Sequence, residues 1–538
     1  MRRRPRVLLA AACTAATALA AQAPIQAGGA TRAMASSTVT PGTAATCTVN
    51  PALAKREMRG MWIASVVNID WPSRQGLTAT QQRAELVSML DLAKANRMNT
   101  IVLQVRPTAD TFWPSTLEPW SQWITGTQGK APGWDPLGTA VTEAHARGLE
   151  LHAWVNPYRV SMDATGKNLV ATHPARVHPE WTVSYGGKLY YNPGIPAVRA
   201  HVVGVVKEIV AKYDVDAIHF DDYFYPYPVS GQTFNDAATF QAYGAGQTLA
   251  QWRRANITAL IDDVRMTVRA TRPGTQFGVS PFGVWRNVAT DATGSNTKAG
   301  VQAYDDLYAD TRGWVVNGQV DYLAPQDYWS TVLPAAPYGA VAGWWADMAG
   351  RSARSNVYLG EAAYRVSATS SETAWQKTRE VVSHFPITDR LNASRPAALP
   401  AGGVIKGRMF FSAADIRANR LDAMGTVVRE RHSRPAMTPP APWLDAVAPQ
   451  APRVARRGRV LSINPPGDAL HYVIYRVPKS AANVRPCDLA DARNVVAIVP
   501  RTTWTWVDPQ VTTDLGKYTW LVSAVDEQSN ESPAWIAR

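Results

Sequence analysis

Eight short apolar runs, each followed by an amphipathic stretch, recur between residues 59 and 430. That alternation constrains the fold more than any other feature of the chain. The runs fall at 60–66, 100–106, 150–156, 215–221, 276–281, 320–326, 357–361 and 407–412. They are apolar on both faces, as strands of a parallel sheet covered on each side must be. Helical periodicity is expected at 80–97, 136–147, 196–213, 249–271, 300–314, 339–353, 371–384 and 413–429. Leu86, Met89, Leu90 and Ala93 form one stripe, and Pro196 opens a segment carrying Val202, Val205, Val206, Ile209 and Val210. Eight strand–helix units imply an α/β chain folded as a (β/α)8 barrel. At about 380 residues the region exceeds the roughly 250 typical of such barrels. The surplus belongs in loops, and the long ones, 157–193, 223–246 and 282–298, follow the third, fourth and fifth strands. They lie on the face where barrels build their sites.

The fourth strand runs into VDAIHFDDYFYPY, residues 215–227. It ends in two adjacent acids, Asp221 and Asp222, set among aromatics. An ionised carboxylate is costly to bury without a partner, so such a pair at a strand end marks a site or a salt-bridged terminus. Strand alternation puts His219, Asp221 and Tyr223 on one face and Asp222 on the other. The two acids are therefore expected to do different work.

Other polar groups fall at the ends of other strands. Gln104, Arg106 and Asp110 follow the second, and His152, Asn156, Tyr158 and Arg159 the third. Ser280, Trp285 and Arg286 follow the fifth, then Gln326, Asp327, Tyr328 and Trp329 the sixth. Glu361, Tyr364 and Arg365 follow the seventh, and Trp62 lies on the first with Asn68, Asp70 and Trp71 beyond. Singly, each has a dull reading: a barrel hydrogen bond for Arg106, packing for Trp329. Together they gather carboxylates, amides and aromatics at one end of one barrel. No nucleotide motif and no cluster with metal-ligand spacing accompanies them, so no cofactor and no metal are expected. Carboxylates among aromatics fit glycosidic-bond chemistry, in which one acid protonates the leaving oxygen and a second carboxylate attacks, stabilises or activates water. Asp221 and Asp222 are the first candidates. Because neighbours on a strand point apart, the partner acid is also sought at Asp327, Glu361 and Asp110. Arg106, Asp110, Asn156, Tyr158, His219, Tyr223, Gln326 and Trp329 are the expected substrate contacts.

The ends of the chain address export and domain count. Residues 1–27 read as a secretory signal: Arg2, Arg3, Arg4 and Arg6, then an Ala-rich apolar run too short to span a bilayer, with small residues offering cleavage points. Lipid anchoring at Cys13 is disfavoured because Ala-Ala-Ala precedes it. A secreted, periplasmic or cell-surface location follows, and no other stretch is apolar enough for a membrane helix. Removing residues 1–27 lowers the net charge from +13 to +9, which suits an anionic wall polymer. No nucleic-acid-binding signature is present. Residues 28–54 read as a Gly/Ala/Thr-rich lead-in, 55–436 as the barrel and 437–450 as a Pro-rich linker. Residues 451–538 carry only short strands, at 459–463, 470–477, 494–498, 503–507 and 517–526. The segments HYVIYRV, TWVDP and YTWLVSAVDEQSNES are similar to a fibronectin type III domain, a small all-β sandwich. Cys47 and Cys487 are placed to pair in an oxidising compartment or to stay apart. Oligomeric state leaves no trace in the sequence.

Five segments in order, REMRGMWIASVVNIDWPS, TIVLQVRPTADTFWPS, LHAWVNPYRV, DAIHFDDYFYPYP and YLAPQDYWS, resemble the glycosyl hydrolase-like 10 family of exported bacterial proteins over residues 55–429. The resemblance implies a (β/α)8 barrel, cleavage of peptidoglycan glycan strands, some relatives preferring strands stripped of stem peptides, and a functional role for Asp221 and Asp222. DAIHFD is also similar to the DGFRxD pattern of amylase-type barrels, which maps a nucleophile or oxocarbenium-stabilising role onto Asp221 and puts His219 where those enzymes carry Arg. Asp222 is then the acid/base or the group that orients the sugar. Asp327 and Glu361 depart from the family pattern. The expectation is an exported glycoside hydrolase of cell-wall glycan. The alternatives are a non-catalytic wall-polysaccharide binder and a hydrolase or transglycosylase of another bacterial polysaccharide.

Overall fold

The computed structural model describes residues 37–43, 47–50, 52–377, 379–394, 404–464 and 466–538. The signal segment 1–27 lies outside the described residues. Eight strands form a closed barrel: β1 (Met58–Ile63), β2 (Thr100–Arg106), β3 (Glu150–Val155), β4 (Ala217–Phe220), β5 (Gln276–Val279), β6 (Tyr322–Leu323), β7 (Asn356–Glu361) and β8 (Ile405–Phe410). Neighbours in the chain are neighbours in the sheet, every pairing is parallel, and β8 closes on β1 through Gly407–Met58 to Phe410–Met61. All eight runs read from the sequence form these strands: β2 spans its run in full, β7 starts one residue early, β1 and β8 are shifted earlier, and β3 to β6 end short where the chain turns into site loops.

Side-chain alternation divides the barrel. Met58, Trp62, Val102, Trp154, Tyr322 and Tyr358 fill the interior. Met61, Ile101, Leu151, Ile218, Phe277 and Leu359 face the helices. A Cβ on Gly278 of β5 would stand 2.1 Å from the Tyr322 ring, so glycine there makes room for an aromatic at the barrel axis.

The surrounding helices follow their local signals. Thr78 caps Ala79–Ala95 and Thr248 caps Leu249–Thr271, each in a reciprocal box with a glutamine three residues on. Pro196 occupies the first turn of Pro196–Lys212. Three segments depart from expectation. Residues 300–314 break into Ala303–Asp306 and Thr311–Val316, because Asp310 caps a new helix by accepting from Gly313 N–H. Residues 413–429 split at Asn419–Asp422, where Asn419, Leu421 and Asp422 take positive φ. The 371–384 helix instead runs Glu380–Ala393 through Pro386, its turns held down by buried Val381, Val382 and Phe385.

The C-terminal region forms two antiparallel sheets. One joins Arg453–Arg457, Val460–Asn464 and Thr505–Val507. The other orders Thr38–Val39, Ala534–Ile536, Thr519–Val525, His471–Val477 and Val495–Pro500. Val454, Leu461, Ile463, Tyr472, Ile474 and Trp520 make their shared core. Thr38–Val39, in the stretch read as a lead-in, is an edge strand on Ala534–Trp535. A Cys47–Cys487 disulfide ties the same segment to this region. Trp443 Nε1 donates to Asp321 Oδ1 at 2.7 Å and Gln528 Nε2 to the Gly274 carbonyl at 3.2 Å. Asp321 and Gly274 precede β6 and β5, so the sheets sit at the amino end of the barrel and leave its carboxyl end open.

Candidate active site

The carboxyl end of the barrel holds a cavity of about 240 Å³. Its polar lining is Gln104, Arg159, Asp221, Asp222, Ser280 and Gln326. Its aromatic walls are Trp62, Trp154, Tyr223, Tyr328, Tyr364 and Phe411. Alternation expected Asp222 to turn away from Asp221, yet both line this space. The reason is local: β4 stops at Phe220, so the acids sit beyond the ladder and the chain bends at Asp222.

Each acid is held by its own donors. Asp221 Oδ2 accepts a short hydrogen bond from Asn156 Nδ2, and its Oδ1 accepts from Tyr223 N–H at 3.1 Å. Asn156 is oriented in turn by Gln104, whose Nε2 donates to Asn156 Oδ1 at 2.6 Å. Gln104 Oε1 accepts from the N–H groups of Ser65 and Val66 at 2.8 and 2.9 Å. A chain of amides therefore runs from the end of β1 across β2 and β3 to Asp221. Asp222 Oδ2 accepts a short bond from the Tyr227 hydroxyl, and its Oδ1 accepts from Gln326 Nε2 at 3.0 Å. Burial and then the neighbouring Asp222 charge push Asp221 up to about 7. Burial also raises Asp222, against the pull of Tyr227 and Gln326. Two adjacent buried acids cannot both ionise cheaply, so the pair holds onto a proton to higher pH than isolated aspartates would.

Arg159 supplies the positive charge of the cavity. Its Nε donates to the Pro107 carbonyl at 3.0 Å and its guanidinium lies 5.0 Å from the Tyr223 ring centre. Its charge draws both aspartates part of the way back down.

Of the expected residues, Asp221, Asp222, Tyr223 and Gln326 line the cavity and Asn156 stands directly behind it. His219 lies one layer deeper. Trp62 Nε1 donates to its Nε2 at 3.3 Å, which leaves the ring proton on Nδ1, 2.8 Å from the Tyr322 hydroxyl. Burial, then the charge of His152, keeps it neutral.

The remaining expected residues stand elsewhere, for physical reasons. Arg106 is fully buried in a two-point ion pair with Glu118 and also donates to the Asn156 and Pro157 carbonyls. It locks the backbone that carries Asn156 and offers nothing to a substrate. Asp110 is buried in the loop after β2, accepting from Thr108 Oγ1 at 3.0 Å. Tyr158 is buried in the outer core, and Trp329 packs edge-on against Phe282 at 5.4 Å. Glu361 shares the outward parity of Leu359. There it accepts from Tyr338 at 2.9 Å and Arg408 Nε at 3.0 Å, with His384 Nδ1 at 2.7 Å. Asp327 is fully buried, neither of its oxygens has a hydrogen-bond partner, and burial followed by the Glu361 charge raises its pKa far above the usual range. Neither acid reaches the cavity, so the search for a partner acid on the sixth or seventh strand ends with none. Tyr227, which holds Asp222, lies within the aromatic run five residues beyond Asp222, and that spacing is the sequence signal for its role. Trp154 and Phe411 were concealed as ordinary strand hydrophobics.

A sequence model described as Glycosyl hydrolase-like 10 matches residues 57–377. Glycosyl hydrolase YngK of Bacillus subtilis (strain 168) is 41% identical over 497 residues, covering 90% of this chain and 93% of that protein. Glycosyl hydrolase DigH of Escherichia coli (strain K12) is 42% identical over 340 residues, 60% of this chain and 77% of that one. Among solved structures, the PgaB (BpsB) glycoside hydrolase domain from Bordetella bronchiseptica superimposes with a TM-score of 0.44 at 15% identity, covering 70% of this chain and 98% of that domain. The matched stretch contains β1–β7 and the acid pair, and one relative aligns over almost its whole length. The chain belongs to the glycosyl hydrolase-like 10 family and is a glycoside hydrolase.

Proposed function

We propose that this enzyme is exported and hydrolyses cell-wall glycan, peptidoglycan strands foremost, with Asp221 and Asp222 as its acid–base pair. The observation that carries the reading is the pair itself: two adjacent buried carboxylates sharing one aromatic-walled cavity. Asp221, held up to about 7, keeps a proton to give to the leaving oxygen. Asp222, with a hydroxyl and an amide donating to it, carries the negative charge that faces the developing oxocarbenium ion. This allocation reverses the one suggested by amylase-type barrels, because donor strength and burial, rather than strand parity, set where the proton sits. Residues 1–27 support export, and the +9 charge that remains after their removal favours an anionic polymer. The three-strand and five-strand sheets support reading residues 451–538 as a fibronectin type III-like unit, a spacer or binding module joined through 437–450 to a barrel of 55–436.

The test is product analysis on a panel: intact sacculi, amidase-stripped peptidoglycan strands, chitin and a capsular polysaccharide. New free reducing ends from peptidoglycan are expected. Cleavage confined to another polymer would overturn the substrate, and 1,6-anhydro ends in place of reducing ends would overturn hydrolysis.

A further inference from the structure

The cavity supplies an acid and a negative charge but, among the described residues, no opposed carboxylate to act as nucleophile. A retaining glycosidase that uses its own nucleophile places two carboxyls about 5–5.5 Å apart across the sugar, and an inverting one about 6.5–9.5 Å apart with water between. Asp221 and Asp222 are consecutive, with Cα atoms about 3.8 Å apart, and both enter the cavity from just beyond the end of β4. Among the described residues no other carboxylate lines the cavity. Glu361 faces the outer helices, Asp327 is buried within reach of its charge, and Asp110 is held in its loop. The opposite wall is made by Trp62 of β1, Phe411 just beyond β8 and Tyr364, none of which is a carboxylate.

We infer that the missing nucleophile is the substrate's own 2-acetamido group, so that the site is built for 2-acetamido-2-deoxy sugars and retains anomeric configuration. This inference rests on the proposed glycan-hydrolase reading and deepens it. In the first step the acetamido carbonyl oxygen bonds to the anomeric carbon as the glycosidic C–O bond breaks. Asp221 gives its proton to the departing oxygen, and Asp222 takes the acetamide N–H proton, leaving a neutral oxazoline. In the second step water bonds to the anomeric carbon, the oxazoline C–O bond reopens, Asp221 recovers a proton from the water and Asp222 returns its proton to nitrogen. The sum is hydrolysis, with both aspartates restored. Two features of the site serve this chemistry. Tyr227 and Gln326 fix the Asp222 oxygens, so its remaining lone pairs present a set direction to an N–H group. The aromatic walls offer flat apolar faces against which a sugar ring can be held while its carbonyl oxygen reaches the anomeric carbon.

The test uses amidase-stripped peptidoglycan strands in three forms: native, re-acylated with trifluoroacetyl, and N-deacetylated. Trifluoroacetyl keeps the shape but weakens the carbonyl oxygen as a nucleophile. We expect kcat to fall at least about tenfold for the trifluoroacetyl strand and about a hundredfold or more for the deacetylated strand. We also expect the native strand to yield the retained anomer by NMR. A deacetylated strand cleaved at the native rate, or an inverted product, would overturn the inference while leaving the hydrolase reading intact. No cleavage of native strands would overturn both. Because every arm uses the wild-type protein, misfolding of a variant cannot mimic any of these results.

Discussion

Asp222 depends on Tyr227 and Gln326 for its charge, and that dependence is measurable. Removing the hydroxyl in Tyr227→Phe deletes a donor to the ionised form, so the Asp222 pKa rises. The acid limb of the kcat/KM–pH profile should then move to higher pH, while the alkaline limb, set by Asp221 near 7, stays close to its place. An unshifted acid limb would remove Tyr227 from the tuning of the pair. Asp221 also has a stability signature. Folding raises its pKa from 3.8 to about 7, so across that window the native state holds a proton that the unfolded chain has released. Stability contributed by this group is full below about 4 and is lost as pH climbs through 7. Asp221→Asn should therefore be at least as stable as wild type at pH 8 by denaturant unfolding, and should show less benefit at pH 4. The identity of the pair was legible in FDD, but its shared orientation was not. Strand parity governs only while the ladder lasts, and nothing in the sequence marks that β4 ends at Phe220.

At the scale of elements, β7 and β8 are fastened to the outer helices by charge. Glu361 binds His384 and Arg408 on Glu380–Ala393 and β8, and Tyr338 on the preceding helix, Tyr338–Ala349. Glu361→Ala would leave buried Arg408 with only its longer 3.8 Å carboxylate contact to Glu57, at a cost of up to about 3–5 kcal/mol. The expected result is a lower midpoint in urea with kcat retained by the folded fraction. Loss of kcat at unchanged stability would restore Glu361 to the catalytic set. From sequence, Glu361 and Asp221 are indistinguishable, since both are acids at the carboxyl ends of strands. Parity separates them: Glu361 is in phase with the outward Leu359, Asp221 with the inward His219. Arg106 misleads for a related reason. Its partner Glu118 sits twelve residues on in a loop, where no periodicity links the two.

On the scale of the whole molecule, the barrel was legible because eight apolar runs alternating with helices match the eight strand–helix units that close into one. The second unit was only partly so. Arg453–Arg457 and Ala534–Ile536 are hard to read as strands because their short, Arg-rich or Trp-bearing sequences carry little hydrophobic alternation, and Thr38–Val39 is two residues long. That edge strand is held by Ala534–Trp535 and by a disulfide spanning 440 residues. Cys47→Ser/Cys487→Ser should lower unfolding stability by about 2–5 kcal/mol, with thiol reagent doing the same to wild type and nothing further to the variant. Because the sheets dock at the amino end of the barrel, turnover below the unfolding transition should survive that change. Equal stability of variant and wild type would mean that the bond does not hold the edge strand.

The most direct test of the central claim is reducing-end release from amidase-stripped peptidoglycan by wild type, Asp221→Asn and Asp222→Asn, each shown to be folded by circular dichroism. Both variants should lose about 10²–10⁴ in kcat while still binding the strands. Release at the wild-type rate by either folded variant would contradict the assignment of the chemistry to the pair at the end of β4.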